Sequence, residues 1–275
     1  MAINWVDRVP TKPGRIKITP ESGGAAWYGV MERADEPSVV GTPINAANLN
    51  SMQKNAGLDA NVTVYVAVSG SDRTGNGSNT APYQTITKAL STIPKNLNGY
   101  TATVYIASGT YPEKLNINGF TGGTLMFTGI ANATISVASI AIIHTEMLIF
   151  RNLHFSVVGE SDVLYGVHVT SGCIVVDTGS FSVSNASASG IYAILGATAY
   201  FTNLALSKVA NGVTASNNAQ VIVGTLTGTT TETGFRATGG GRITLGSSTL
   251  SAPTLYVTSS GGRVLTGSQT SIPNY

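Results

Sequence analysis

Gly166, Gly190, Gly212 and Gly234 stand at intervals of 24, 22 and 22 residues, and each opens a segment with the same order of residue types. One place after them come Val167, Ile191, Val213 and Phe235; three places after come Val169, Ala193, Ala215 and Ala237. Seven places after, every residue is small: Cys173, Ala197, Ala219 and Gly241. Nine places after are Val175, Ala199, Val221 and Ile243, and eleven places after are Asp177, Phe201, Val223 and Leu245. A looser copy starts near Thr254 and a longer one near Ile140.

Alternation with period two is the spacing at which side chains share one face of a strand. A strand-and-turn unit repeated every 20–30 residues or so is the mark of a solenoid, because one unit cannot bury its apolar face without the next. The expected fold is therefore all-β, a parallel β-helix in which like positions stack at about 4.8 Å per coil. About seven coils give a rod roughly 35 Å long. The competing architecture is an antiparallel β-sandwich with regular turns, which does not account for fixed offsets through four units. Asp177 breaks the pattern, since an unpaired buried carboxylate is costly. Either the strand bulges there or the side chain faces out.

Charge density divides the chain. Residues 1–60 carry six basic and six acidic groups, whereas residues 101–275 carry twelve charges in all. The expected organisation is an attachment module over 1–60, a strand, Gly-rich loop and capping helix over 61–100, and the β-helix body over 101–275. In the first module "GRIKITP" and "AAWYGVMER" read as strands joined by "ESGG". Thr42 and Pro43 suit the start of a short helix with Leu49, Met52 and Ala56 on one face. Within "TITKALSTIPK", Ile86, Leu90 and Ile93 share the face of a second helix over 85–95, placed to close the first coil.

Charged residues make up 10% of the chain and the net charge is +2, with no Lys/Arg run, which excludes an electrostatic footprint for nucleic acid. A surface of Ser, Thr, Asn and Gly offers little repulsion between identical chains and points to self-association. The single cysteine, Cys173, excludes a disulfide framework and a cysteine-based zinc site. No apolar run approaches the ~18 residues of a spanning helix, so membrane insertion is not expected. "MAINWVDRVPTKPGR" lacks a basic segment followed by an apolar one, so secretion by a signal peptide is not expected either.

"YVAVSGSDRTGNGSNTAPYQTITKAL" (65–90) resembles the opening of pectate-lyase-like right-handed β-helix domains, where a strand, a Gly-Ser-Asp turn and a Gly-rich loop lead into a capping helix. That resemblance extends over roughly 62–270 and implies the right-handed form. "DRVPTKPGRIKITPESG" and "ERADEPSVVGTPINAANLN" are similar to the head of tail-fibre and tailspike proteins of phages and prophages of Gram-positive bacteria. The matching positions are Pro13, Gly14 and Arg15; Arg33, Asp35 and Pro37; and Thr42, Pro43 and Asn45, with Leu49 beyond them. The resemblance implies a virion protein whose partners are two further copies in a homotrimer and the tail or baseplate, with bacterial surface polysaccharide facing the β-helix and release by lysis. Because the same fold carries many activities, a polysaccharide lyase or glycoside hydrolase is the second reading and an adhesin module the third.

Glycosidase chemistry needs two carboxyl groups roughly 5–9.5 Å apart. Among Glu113, Glu146, Glu160, Asp162, Asp177 and Glu232, only Glu160 and Asp162 share a turn, and solvated acids in a turn are the ordinary alternative. His144, His154 and His168 have no compact ligand spacing, and neither a metal nor a cofactor is expected. Arg242 and Arg263 are about one coil apart and so stack side by side, where they could contact an anionic sugar; the ordinary alternatives are a subunit contact or simple exposure. Tyr192 and Tyr200, with Tyr165 and Tyr256, are the aromatic residues of the coil region available to stack on sugars.

Overall fold

The computed structural model describes residues 15–18, 27–30, 57–159 and 163–267. The chain divides into two units, Met1–Ala56 and Gly57–Tyr275. In the first, β1 (Arg15–Ile18) and β2 (Trp27–Val30) pair antiparallel, with Arg15 opposite Val30 and Ile18 opposite Trp27. This is the hairpin the two strand-like runs imply. Of the attachment positions only Arg15 falls here, on β1. Pro13, Gly14, Arg33, Asp35, Pro37, Thr42, Pro43, Asn45 and Leu49, with the helix expected around them, lie outside the described residues.

The second unit is a right-handed parallel β-helix of about seven turns. Its first face stacks β3 (Val62–Val66), β4 (Thr101–Ile106) and the leading parts of β7 (Thr124–Val137), β9 (Met147–Val158), β11 (Ile174–Ser184), β13 (Thr198–Ser216), β14 (Gln220–Thr238) and β15 (Arg242–Ser251), then β17 (Arg263–Thr266). The second face runs from β5 (Gly109–Thr110) through the trailing parts of β7, β9 and β11, the middle of β13 and β14, and the end of β15. The third stacks β6 (Lys114–Asn118), β8 (Ser139–Ile143), β10 (Tyr165–Thr170), β12 (Ser189–Ala193), the ends of β13 and β14, and β16 (Thr254–Ser259).

Each counted position is a column. Leu115, Ile140, Val167, Ile191, Val213, Phe235 and Tyr256 lie in register on the third face. Val175, Ala199, Val221 and Ile243 do the same on the first. The glycines that mark each repeat point into the core at a bend. A Cβ on Gly166 would lie 2.1 Å from Cγ1 of Val183, and one on Gly212 would lie 2.5 Å from the carbonyl oxygen of Gly234. From Ser171 onward each corner between the third and first faces turns through two consecutive left-handed residues, among them Ser171 and Gly172, Asn217 and Asn218, and Gly239 and Gly240. Gly and Asn tolerate that conformation best, which explains their recurrence there.

The second face supplies bulk. Phe155, Phe181, Leu204 and Leu226 form a column facing Phe127, Phe150 and Phe201 across the core. Phe155 and Phe181 stack with ring centroids 5.4 Å apart, and Phe150 meets both edge-on. Rings in such arrangements add to the gain from burying their area.

Helix α1 (Ile86–Thr92) is shorter than the expected 85–95 but lies in the expected place. Ile86, Ala89 and Leu90 are buried in the same core as Val64, Val104 and Leu115 of the first coil. Thr85 caps it, its hydroxyl accepting from the Lys88 amide, and both carboxylate oxygens of Glu113 accept from the amides of Ile86 and Thr87 at 2.9 and 2.8 Å. Asp72 accepts in turn from the amides of Gln84 and Thr85 and from the Thr85 hydroxyl. At the other end of the described solenoid, Tyr256 stacks on Phe235 yet is 47% exposed.

Asp177 does not face out. It is 1% exposed on the core column between Phe150 and Phe201, and the register shifts between Asp177 and Ser180, so the strand also bulges. Among the described residues no helix is long and apolar enough to cross a membrane.

Candidate functional site

The eighth position after each repeat glycine points outward on the first face, and reading it down the solenoid gives Ile174, Thr198, Gln220, Arg242 and Arg263. Arg242 and Arg263 are register partners on β15 and β17, and both are exposed. The expected stacking of the two guanidinium-bearing residues is therefore present. A cleft of about 300 Å³ lies over them, bounded by Asn218, Gln220, Gly240, Gly241 and Gly261. A second cleft of about 400 Å³ shares Gln220 and Arg242 and continues along the strands over Ile222, Thr244 and Leu265.

The floor of the first cleft is built from the corner glycines. Gly240 and Gly261 have φ of +77° and +80°, and a Cβ on Gly240 would come within 2.3 Å of Oδ1 of Asn218. The wall therefore carries the long donors of Gln220, Arg242 and Arg263, while the base holds glycine backbone and the short Asn218 amide. Glu232 is the one acidic residue between Val209 and Gly267, and none of the described carboxylates forms an ion pair with Arg242 or Arg263.

The other expected site residues are distributed elsewhere. Tyr200 shares the outer side of the first face, in the column that continues through Ile222, Thr244 and Leu265. Tyr192 is on the outer side of the third face, round the glycine corner, and does not line either cleft. Its ring stacks on Tyr165 with centroids 4.5 Å apart and planes at 12°, so one ring face is already covered. Burial pushes its hydroxyl up in pKa, the Tyr165 phenol adding to the effect. His168 lies 5.3 Å from each of these rings, burial lowers its pKa, and its buried Nε2 has no hydrogen-bond partner.

Glu160 and Asp162 lie outside the described residues. Of the remaining acids, Glu113 holds the amides of α1 and Glu146 accepts from the Gly122 amide at 2.6 Å. Burial raises Asp177 to about 7, offset in part by the Gly179 amide that its Oδ1 accepts. His144 is an exposed bend residue with φ of 46°, and His154 Nδ1 is 2.6 Å from the Ser180 hydroxyl across one rung. Among the described residues no three His, Cys, Asp or Glu side chains group as metal ligands would.

Sequence reasoning missed Gln220, Asn218 and the glycine floor. Gln220 was within reach of it, since it occupies the same repeat phase as Arg242, exactly one coil earlier in register. The glycines read from sequence only as turn signals.

A family model described as a protein of unknown function (DUF1565) matches residues 68–120. This stretch spans the Gly-rich loop, α1 and the strands β4, β5 and β6, and the family is linked to β-helix proteins. No curated protein and no solved structure matches the chain.

Proposed function

We propose that the chain is a structural and adhesive component of a phage or prophage tail, a fibre or tailspike attached through residues 1–60 and presenting its β-helix to the bacterial surface. The observation that supports this most is the continuous parallel ladder from Val62 to Thr266, closed at its first coil by α1 and bearing its Arg-lined clefts on its last strands. A β-helix joined in sequence to the N-terminal unit at its first coil, with the Arg242 and Arg263 pair on its last strands, suits a spacer that carries a binding end. The likeness of residues 7–50 to tail-protein heads supplies the phage part of the reading.

Self-association into a homotrimer is part of the proposal. The outer side of the first face carries Met126, Ile149, Val176, Tyr200 and Ile222 in one uncharged column, of which Met126, Tyr200 and Ile222 are half-buried and Ile149 and Val176 are buried within the chain. The corresponding outer column of the second face is Thr134, His154, Ser180, Asn203, Thr225 and Ser247. In this reading copies pack side by side on the first face around Met126 and Tyr200, before the clefts begin at Gln220 and Ile222.

The test is incorporation into particles. Tailed particles from an induced lysate, purified on a density gradient and labelled with antibody to this chain, are expected to carry it at the tail. Deletion of residues 1–60 is expected to leave the body folded and absent from particles. In solution the full chain is expected at three times its 28.3 kDa mass. Particles without the protein overturn the reading.

A further inference from the structure

Arg242 and Arg263 sit directly opposite each other on neighbouring parallel strands, which are about 4.8 Å apart. Like charges in that relation destabilise a sheet unless something neutral or negative lies between them. Among the described residues none supplies such a group: the charges between Val209 and Gly267 are Glu232, Arg236, Arg242 and Arg263, and no described carboxylate forms an ion pair with Arg242 or Arg263. In a body so poor in charge, an unneutralised pair over a 300 Å³ cleft is a feature with a cost and no structural return.

Guanidinium groups present several N–H donors and no acceptor, and they match planar or tetrahedral oxyanions in pairs. Gln220 adds an amide in the same outward column. Below them Gly261 leaves the base open, a Cβ there meeting nothing nearer than the Gly240 nitrogen at 4.0 Å, while the Asn218 amide fills the space beside Gly240, so a group attached to the anion approaches the backbone at Gly261. The adjoining cleft over Ile222, Thr244 and Leu265 offers apolar contact with one hydroxyl, which is the surface that a sugar ring, with its C–H face and its peripheral hydroxyls, complements.

We propose that this groove binds an acidic glycan. The oxyanion, whether carboxylate or phosphate ester, lies between Arg242 and Arg263, and the neighbouring unit lies over Ile222, Thr244 and Leu265. The proposal deepens the adhesive reading and rests on it only for where the glycan is met; binding itself is measured without any particle.

The experiment is calorimetric titration of the full chain with three polymers: oligogalacturonate as carboxylate probe, poly(glycerol phosphate) as phosphodiester probe, and neutral dextran. At least one anionic polymer is expected to bind, more weakly as salt is raised, with dextran not binding. Arg242→Gln with Arg263→Gln is expected to weaken binding by about tenfold or more, the loss expected when charge-assisted bonds are removed. Without ligand the Gln variant should melt no lower than wild type, and slightly higher where the like-charge contact is relieved. Arg242→Lys with Arg263→Lys, which keeps the charge and loses the fork, is expected to fall between wild type and the Gln variant. The proposal is overturned if neither anionic polymer binds, if dextran binds equally, if inorganic phosphate binds as tightly as either polymer, or if the Gln variant binds as wild type does. Each of these outcomes leaves the particle test above untouched, and loss of the protein from particles leaves these titrations untouched.

Discussion

Asp177 and Phe201 are register partners on adjacent coils, both 1% exposed, so a carboxyl occupies a rung of an otherwise apolar core column. Its Oδ1 accepts from the Gly179 amide at 3.0 Å across the bulge, and its Oδ2 has no partner. Burial disfavours the ionised form and raises the group from 3.8 to about 7. The folded chain therefore holds a proton that the unfolded chain releases near pH 4. Stability from this group is fully present below the unfolded value, falls as pH rises, and is lost above about pH 7, a change on the order of 4 kcal/mol. Asp177→Asn keeps an acceptor for Gly179 and cannot ionise. The variant is expected to be more stable than wild type at pH 8 and nearly equal at pH 4, measured by urea midpoints across that range. A wild-type advantage at pH 8 would contradict the account.

Position seven becomes glycine at Gly241 for a steric reason, although Cys173, Ala197 and Ala219 hold a Cβ at the same phase in earlier coils. A Cβ on Gly241 would lie 2.1 Å from the Ala215 carbonyl oxygen, whereas a Cβ on Gly172 meets nothing within 4 Å. Gly172 instead has φ of +70°, where a side chain is strained but unobstructed. Gly172→Ala is expected to cost about 1–2 kcal/mol, and Gly241→Ala more than about 3 kcal/mol because backbone must move. Equilibrium unfolding of the two variants decides it. Equal losses would mean that the corner, rather than the close approach to Ala215, sets the residue at position seven.

What the sequence disclosed follows from this geometry. Val167, Ile191, Val213 and Phe235 were legible as one column because the coils they begin have nearly constant length, so stacking preserves their phase. The second face was not legible in the same way. The bulge between Asp177 and Ser180 shifts the phase, so Phe155, Phe181 and Leu204 align in space without aligning at a fixed offset. Asp177 was read as a misfit because alternation reports which side a residue faces and not how a buried carboxyl is protonated. At the cleft, the stacking of Arg242 on Arg263 followed from their one-coil separation, but the space above them depends on backbone turns at Gly240 and Gly261 that residue type alone does not draw.

Glu113 joins the cap to the coils, and its removal tests whether the cap protects only its own end. The carboxylate lies in the connection between β5 and β6 and holds the amides of Ile86 and Thr87, two of the donors that a helix start leaves without partners. Glu113→Ala strands those amides beside the buried face of Ile86 and Leu90, which is expected to cost about 1.5–3 kcal/mol, as for hydrogen bonds to a charged group. In a solenoid each coil contacts only its neighbours, so the loss is local first. Amide exchange is expected to quicken in residues 84–92 and in β3 and β4, while β13 and β14 keep wild-type protection. Glu113→Gln retains one acceptor and should recover part of the loss. Uniform acceleration from β3 to β17 would show instead that the β-helix opens as a single cooperative unit, with α1 securing the whole of it rather than its first coil.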